Sequence, residues 1–323
     1  MLLIPLALLF VFGQVVILGN RPAKQILIPF NNHSHSLGFP MTTKTPLAPF
    51  TYSQLPSCST ITLKVNTTTQ WRTMNTCQFA LLQRFFNNEK GILPNFASVL
   101  YVCDDSHELE GIEIREFVSY RRPYYVVMPK CKGDDPITLI SIGFDQDAIA
   151  ENQLKQSIDN LKIYGTSLQN SKSTSNTKIF EKIFPHAISE SDGNLELSVS
   201  DTETSKNHTL INVKSIGFSN FMHLEFKNQT FFDIIWINLE NGPFEYWKFV
   251  GKDQIFDKLG LTFCQIGLEV RSDQDNEFYG FMLNVLNNPK YLFVRPSMSV
   301  DEKFVRFVLL NVVDERCYKK YVQ

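Results

Sequence analysis

The chain has 323 residues, and its 31 Lys and Arg against 33 Asp and Glu give a net charge of -2. This balance excludes a nucleic-acid binder whose affinity depends on neutralised phosphates. Hydrophobic residues make up 43% of the chain and charged residues 20%, a composition that supplies a core and excludes a disordered tail.

Residues 1–19 form an apolar segment at the start of the chain. The run has the length of a secretory signal sequence and lies at the lower limit for a membrane span. We predict a signal peptide or signal anchor here, and we expect the protein to contact a membrane only through this segment. Because the nearest cations, Arg21 and Lys24, follow the run, an anchor that leaves the main body in the cytoplasm remains an alternative.

Two further features favour the secretory pathway. The acceptor triplet Asn-x-Ser/Thr for N-glycosylation begins at Asn32, Asn66, Asn207 and Asn228. An even number of cysteines suits disulfides, and the six are Cys58, Cys77, Cys103, Cys131, Cys264 and Cys317. Their pairing does not follow from the sequence, and Cys264, in the middle of a predicted strand, is expected to pack as a small hydrophobe. We therefore predict a secreted or membrane-anchored glycoprotein with disulfides.

Composition divides the rest of the chain into three parts. Residues 20–76 are rich in Pro, Thr, Ser and Asn and are predicted to form a polar stem. Residues 77–135 are predicted to form a short extension, and residues 136–323 one domain. The elements predicted in the extension are a helix at 77–86, a strand at 98–103 and an extended, aromatic-rich stretch at 117–128.

From residue 136 onward, predicted strands alternate with helices, which favours a parallel sheet with crossover connections. The strands are predicted at 137–142, 161–164, 186–189, 195–199, 231–239, 261–270, 291–295 and 304–313, and the helices at 147–158, 176–184 and 277–286. The last strand carries Arg306 and Asn311 among apolar residues, a pattern that indicates an antiparallel edge strand. The predicted fold is therefore α/β, Rossmann-like and mostly parallel, with an antiparallel C-terminal edge strand.

Ligands of doubly wound sheets bind beyond the carboxyl ends of the strands. The candidate residues at or directly after three predicted strands are Ser141, Gly143, Asp145, Ser167, Asn238 and Glu240. Gly143 lets the backbone approach a ligand closely, while Asn238 and Glu240 are placed to orient a substrate or accept a proton. The alternatives are a plain strand-to-helix turn at Gly143, and a helix cap at Asn238 with Glu240 in solvent.

Five segments of the second half carry a resemblance to a known family. They read LISIGFDQDAIAENQLKQ, FPHAISESDGNLELSV, FFDIIWINLENGPFEYW, LTFCQIGLEV and FVLLNVVDERCYKKYV. The segment from about residue 137 to residue 321 resembles the FkbM-type methyltransferase domain, in particular its nematode branch, and the last two of the quoted motifs are the most specific. The resemblance implies a class I methyltransferase fold that uses S-adenosylmethionine to methylate a hydroxyl group of a small molecule, glycan or lipid.

The resemblance also implies roles for particular residues. Ser141, Gly143 and Asp145 are implied to line the cofactor loop, and His186 and Ala187 to lie near the adenine. No metal is implied.

At two positions the chain departs from the family pattern. The acidic residue after the second strand is replaced by Thr166 or Ser167, and the leading Asp of the Asp-x-Glu-Gly signature is replaced by Asn238. Each lost carboxylate removes a charge-assisted hydrogen bond worth about 1.5–3 kcal/mol. Ser167 and Asn238 then bind the cofactor in place of the carboxylates, and Glu240 is the implied general base. The prediction is a methyltransferase-like protein that is weakly active or inactive.

Two other functions remain open. Asp145, Gln146 and Asp147 form a D-x-D triplet, with which luminal glycosyltransferases hold a divalent metal and the diphosphate of a nucleotide sugar. Asp147 is alternatively a first-turn acid of the following helix, where the helix dipole favours it. The third possibility is a non-catalytic secreted glycoprotein that retains the fold without the activity.

Overall fold

Alternating strands and helices build a central sheet in the part of the chain that the computed structural model describes. This part comprises residues 50–62, 67–85, 92–106, 112–119, 122–143, 148–167, 178–200, 208–238, 246–271, 275–288, 290–298 and 304–323. The contacts divide the chain into two units, Met1–Ala48 and Pro49–Gln323, and every described residue belongs to the second unit.

The strands and helices of this unit have the following bounds. The strands are β1 (Ile114–Ser119), β2 (Arg122–Val127), β3 (Ile137–Ile142), β4 (Leu161–Thr166), β5 (Phe180–Phe184), β6 (Ala187–Ser189), β7 (Gly193–Ser200), β8 (His208–Gly217), β9 (Phe231–Ile237), β10 (Thr262–Arg271), β11 (Tyr291–Met298) and β12 (Phe304–Asn311). The helices are α1 (Thr67–Leu82), α2 (Ile92–Ser106), α3 (Ile149–Ser157), α4 (Phe218–Phe226), α5 (Ile255–Lys258), α6 (Asp275–Asn287) and α7 (Glu315–Cys317), which continues as a π-helix over Tyr318–Val322. Short 3-10 helices lie at Tyr52–Gln54, Cys58–Thr60, Gln83–Phe85 and Tyr246–Lys248.

The central sheet has seven strands in the order β11-β12-β10-β9-β3-β4-β5. Neighbouring strands are parallel from β10 to β5, whereas β12 runs antiparallel to both β10 and β11. The strand order reverses between β3 and β9, which makes this position the switch point of a doubly wound, Rossmann-like sheet. The prediction of a mostly parallel α/β fold is confirmed. A β1–β2 hairpin and a three-stranded sheet, β6-β8-β7, complete the strands.

Both faces of the central sheet are covered, which explains why apolar residues of β3 point to both faces. Because successive side chains of a strand point to opposite faces, Ile140 and Ile142 pack with residues of α2, α4 and α6. On the other face, Ile137 and Leu139 pack with residues of α3 and of the β1–β2 hairpin. Every residue of β3 is buried, as expected for a strand covered on both faces.

The strand predicted at 98–103 is wrong, because these residues belong to α2. The apolar residues Ile92, Phe96, Leu100 and Cys103 are all buried, and they recur at the spacing of one helix face. Val102 lies on the opposite side of the helix and is exposed. A six-residue window is too short to separate this helical period from the apolar run of a strand.

The helix predicted at 176–184 is also wrong in the part that the structure describes. Phe180–Phe184 forms β5, the edge strand that pairs in parallel with β4. Glu181 and Lys182 are exposed there, as is common for an edge strand that must not pair further. By contrast, the helix predicted at 77–86 is confirmed over its described first part and begins earlier, at Thr67.

The antiparallel orientation of the C-terminal strand is confirmed, but its predicted edge position is wrong. Strand β12 lies between β10 and β11, and β11 is the edge. Arg306 is buried and paired with Glu269 of β10, and the Asn311 side chain donates to the backbone oxygen of Phe263 at 3.3 Å. The polar residues of β12 thus have partners inside the fold and do not face solvent at an edge.

All six cysteines form disulfides, and the pairs are Cys58–Cys131, Cys77–Cys103 and Cys264–Cys317. Cys264 is buried in an apolar cluster, as expected, and its disulfide joins β10 to the C-terminal turn. Disulfides are typical of proteins that fold in an oxidising compartment.

The predicted signal peptide or anchor at 1–19 lies outside the described residues. Within the described ranges, no helix is both long enough and apolar enough to cross a membrane.

Candidate functional site

The switch point brings two of the predicted cofactor residues, Gly143 and Asn238, to one edge of the sheet. The backbone N–H of Asn238 donates to the backbone oxygen of Ile142 at 2.9 Å. The backbone N–H of Gly143 donates to the backbone oxygen of Thr166 at 3.2 Å and to its hydroxyl at 3.1 Å. Gly143 has a φ of 70°, a conformation in which any side chain is strained. Main-chain bonds and the Thr166 hydroxyl therefore order this edge, and the turn favours glycine.

Ser167, His186 and Ala187 lie on the same edge, further from the switch point. The backbone N–H of Ser167 donates to the backbone oxygen of Phe184 at 3.1 Å, which joins the ends of β4 and β5. His186 follows two residues after Phe184 and is half-buried, and Ala187 begins β6 and is buried. The carboxyl ends of β9, β3, β4 and β5 thus carry predicted residues side by side.

Ser141 lies inside β3, before its carboxyl end, and its side chain does not reach this edge. Its side chain is completely buried, and its hydroxyl donates to Glu151 Oε1 at 2.7 Å. Glu151 is itself buried in the first turn of α3, where the helix dipole favours an acid. This hydrogen bond fixes the start of α3 on β3, and so Ser141 positions the edge from beneath. The sequence interpretation missed Glu151 because only the pairing of α3 with β3 reveals its partner.

Asp145 and Glu240 lie outside the described residues, as does the whole Asp145-Gln146-Asp147 triplet. Among the side chains that the structure describes, no group of three or more His, Cys, Asp or Glu is arranged to hold a metal ion.

A row of buried polar side chains crosses the sheet next to Asn238, and the sequence interpretation missed it. Glu269 of β10 follows Leu268, the register partner of Ile237, and it pairs directly with Arg306 of β12. Asn238, Glu269 and Arg306 therefore lie in sequence across β9, β10 and β12. The sequence signal was limited to isolated charged residues, Glu269 and Arg306, within two mainly apolar strands. Their register, which brings them together, cannot be inferred from composition.

Several polar atoms of this row have no hydrogen-bond partner. Arg306 Nε donates to Glu269 Oε2, and Arg306 Nη2 contacts the same oxygen without the alignment of a hydrogen bond. Within the described part of the chain, Asn238 Nδ2, Glu269 Oε1 and Arg306 Nη1 are buried and unpartnered. Asn238 is only 9% exposed and Arg306 only 8%. Because buried polar groups in native proteins are almost always hydrogen-bonded, these atoms indicate a place for a bound molecule or water.

Aromatic side chains cover this row from the side of the β1–β2 hairpin. The Arg306 guanidinium lies 4.7 Å from the centre of the Tyr124 ring, which in turn lies 4.7 Å from the Trp236 ring. Gly267 lets Trp236 lie against the sheet, since an added Cβ would stand 2.8 Å from Trp236 Cδ1. These residues enclose a space that we call the hairpin cleft, lined by Tyr124, Trp236, Asn238, Gly267 and Arg306 among others.

Tyr125, which also lines the hairpin cleft, is not a base. Burial raises the pKa of Tyr125, and the charge of the nearby Glu116 carboxylate adds to the rise. The Tyr125 hydroxyl donates a hydrogen bond to this carboxylate at 3.4 Å. The phenol therefore stays protonated at neutral pH.

The described edge supplies some of the groups that an S-adenosylmethionine site would use and lacks others. Gly143 provides the turn, and Asn238 Nδ2 is an unpartnered donor beside it. The residues that end β4 offer the hydroxyls of Thr166 and Ser167 but no carboxylate for the ribose. In comparisons with family models and with curated proteins, no match to this chain is found.

Proposed function

We propose that this chain is a methyltransferase-like protein of the FkbM type that binds S-adenosylmethionine at the switch point. The observation that carries the proposal is the placement of Gly143 and Asn238 on adjacent strand ends where the strand order reverses. The α/β sheet with its antiparallel C-terminal strand supports the proposal, because the family resemblance implies such a fold.

In this proposal the chain's own residues bind the cofactor and deprotonate the acceptor hydroxyl. Ser167 and Asn238 bind the ribose hydroxyls, and His186 and Ala187 lie beside the adenine. When bound, S-adenosylmethionine supplies an electrophilic methyl group for transfer to a hydroxyl oxygen. Glu240, two residues after Asn238 in the chain, takes the proton from that hydroxyl.

The missing carboxylates predict weak binding of the cofactor. Hydrogen bonds to a charged group contribute about 1.5–3 kcal/mol, against about 0.5–1.5 kcal/mol for neutral pairs. With Ser167 and Asn238 in place of two acids, we expect an affinity reduced by about tenfold or more for each position. The protein is then weakly active, or it retains binding without turnover.

Calorimetric titration of the full-length protein with S-adenosylmethionine tests this proposal. We expect saturable binding that Gly143→Ala weakens at least tenfold. The matched control is Gly260→Ala, because Gly260 has a similar φ of 65° but lies in the turn after α5, away from the switch point. Absence of saturable binding, or an equal effect of both substitutions, contradicts the proposal.

Titration with Mn²⁺ and UDP-sugars separates the other two functions. Saturable binding of a UDP-sugar in the presence of Mn²⁺, without binding of S-adenosylmethionine, identifies a glycosyltransferase. Binding of neither ligand is the result expected for a glycoprotein that retains only the fold.

We further infer that the protein enters the secretory pathway and is secreted or anchored through residues 1–19. The three disulfides support this inference, since such bonds persist in oxidising compartments. The exposed position of Asn228, which begins a glycosylation triplet directly after α4, also agrees with it.

A further inference from the structure

We propose that Arg295, in a bulge of β11, binds a singly charged oxyanion group, such as a carboxylate or a sulfate ester. This binding goes beyond the function proposed above, because it requires no cofactor. Two independent observations carry the proposal: a backbone conformation that disfavours arginine, and a half-buried guanidinium without a counter-charge.

Strand β11 carries an extra residue against β12. The register of the pair shifts between Val294 and Ser297, and the two residues in between lie opposite one residue of β12. The first of these two is Arg295, which has a φ of 47°, in the left-handed region. Glycine is the usual residue in a left-handed bulge, because a side chain is strained there. The backbone at this position therefore favours glycine over arginine.

The sequence position of Arg295 adds to this strain. It precedes Pro296, and a residue before proline prefers an extended backbone with a negative φ. Elsewhere in the described ranges, the non-glycine residues with a positive φ lie at helix ends or in a turn, namely Ala148, Lys227 and Asp253. Strained residues cluster at functional sites. A role of the side chain accounts for an arginine where the backbone favours glycine.

The charge of the Arg295 guanidinium is not neutralised by a direct contact. The residue is half-buried, and within the described ranges no ion pair or hydrogen bond reaches its side chain. On the neighbouring strand β12, Arg306 is also withdrawn from water, but it pairs with Glu269 of β10. A half-buried charge without a partner is unfavourable, and a bound anion supplies the missing partner.

The charges around Arg295 select an anion with a single charge. Burial and the Glu116 carboxylate raise the pKa of Tyr125, while the charge of Arg295 opposes this rise. Arg295 and Glu116 thus both lie within electrostatic reach of the Tyr125 hydroxyl. Glu116 is exposed, and water and salt screen its charge. One negative charge on the ligand balances Arg295, whereas the second charge of a dianion meets the repulsion of Glu116.

The shape of the guanidinium selects an oxyanion. Its planar fork of N–H donors binds two oxygens of a carboxylate or a sulfate at once. A spherical anion such as chloride offers no such pair of acceptors. The ligand group is therefore an oxyanion and not a halide.

The bulge lies apart from the proposed cofactor edge. Strand β11 is three strands from β9, at a distance of about 14 Å for ordinary strand spacing. The oxyanion therefore occupies a site of its own, and its binding is measured without S-adenosylmethionine.

Titration of the full-length protein with small monoanions tests the proposal. The protein is labelled with ¹⁵N at arginine, and the Nε resonance of Arg295 is assigned with Arg295→Lys. Acetate and methyl sulfate then replace chloride at constant ionic strength. We expect a saturable shift of this resonance with both probes, and a response to inorganic sulfate, a dianion, that is at least fivefold weaker.

Replacement of Arg295 by glycine separates binding from folding. Arg295→Gly removes the guanidinium and suits the left-handed backbone, so its thermal midpoint in chloride is expected to rise above that of the unchanged protein. Exchange of chloride for acetate is expected to raise the midpoint of the unchanged protein more than that of Arg295→Gly. The matched control is Lys227→Gly, which also removes a cation at a positive φ, 52°, at the end of α4. This variant is expected to gain stability as well and to keep the full response to acetate.

Four results overturn the proposal: no saturable shift of the Arg295 resonance with the monoanions, an equal response to inorganic sulfate, a lower midpoint of Arg295→Gly in chloride, or the same response of the two glycine variants to acetate. A guanidinium that is simply hydrated gives the first and the last of these. The cofactor titration is independent of this experiment. If the monoanions bind and S-adenosylmethionine does not, the proposed function fails while the oxyanion site stands; the reverse result overturns the site and leaves the function.

Discussion

Single buried polar residues fix the sheet at the end opposite the proposed site, and Asp233 is the clearest case. Asp233 Oδ1 accepts from Lys320 Nζ and from the Tyr321 hydroxyl, both at 2.8 Å, and Oδ2 accepts from the backbone N–H of Thr138 at 3.0 Å. Burial raises the pKa of Tyr321, and the charge of Asp233 adds to the rise, so Tyr321 remains a donor. These bonds hold the C-terminal residues against the sheet.

Asp233→Asn is expected to destabilise the protein by about 3–5 kcal/mol, because it leaves the buried Lys320 ammonium without its counter-charge. Urea denaturation under non-reducing conditions measures this loss. The control is Glu225→Gln, whose partner Lys182 is 56% exposed, and it is expected to cost less than about 1 kcal/mol. Equal losses in the two variants would contradict the assigned role of Asp233.

Two glycines are predicted to respond to alanine with opposite signs. An added Cβ at Gly280 meets nothing within 4 Å on the exposed side of α6, and so Gly280→Ala is expected to stabilise by about 0.5–1 kcal/mol through helix propensity. At Gly267 the same Cβ would overlap Trp236, and Gly267→Ala is expected to destabilise and to disturb the hairpin cleft. Thermal midpoints of the two variants test the pair. A change of the same sign in both is the outcome that contradicts it.

At the scale of elements, windows of six to nine residues led to both correct and wrong predictions. The strand predicted at 137–142 coincides with β3, because a strand buried on both faces carries apolar residues on both of them. The windows 98–103 and 176–184 were wrong, since burial against neighbouring elements decides between helix and strand there. The sequence shows the spacing of apolar residues within an element, but it does not show which other elements pack against that element.

Only part of the candidate site could be located from the sequence. The common position of Gly143, Ser167 and Asn238 at one edge was predictable, because residues that follow parallel strands share one edge of the sheet. The contact of Glu269 with Arg306 was not predictable, because it depends on the register of β10 with β12. Two residues that meet only through strand register share no pattern in the sequence.

The disulfide pattern makes a prediction about elements that are distant in sequence. Peptide mapping of the non-reduced protein is expected to recover Cys58–Cys131, Cys77–Cys103 and Cys264–Cys317. Replacing Cys264 and Cys317 together by Ala is expected to cost about 2–5 kcal/mol, since the bond closes a loop of 53 residues and holds the C-terminal turn on β10. Recovery of any other pairing contradicts the arrangement of α1, α2 and the C-terminal turn around the sheet.

At the scale of the whole molecule, stability and proposed chemistry occupy different ends of the sheet. The Asp233 network lies at the amino ends of β3 and β9, whereas the proposed cofactor edge lies at their carboxyl ends. Because of this separation, changes at the carboxyl-end edge can leave the Asp233 network intact.

Glycosylation of Asn228 tests the compartment of the whole domain. Because Asn228 is exposed and begins an Asn-x-Thr triplet, protein made in eukaryotic cells is expected to lose mass on treatment with an N-glycosidase, and Asn228→Gln is expected to remove one glycan. The control Asn160→Gln changes an exposed asparagine outside any such triplet and leaves the glycan number unchanged. A domain without glycans would indicate the cytoplasm-facing orientation.

The central claim is that S-adenosylmethionine binds at the switch point between β3 and β9. Hydrogen–deuterium exchange of the full-length protein, with and without saturating S-adenosylmethionine, tests it most directly. We predict slower exchange in the peptides that span residues 140–150 and 235–245, and unchanged exchange in the edge strand β11. Exchange that is unaltered throughout, or slowed only away from the carboxyl ends of these two strands, would contradict the claim.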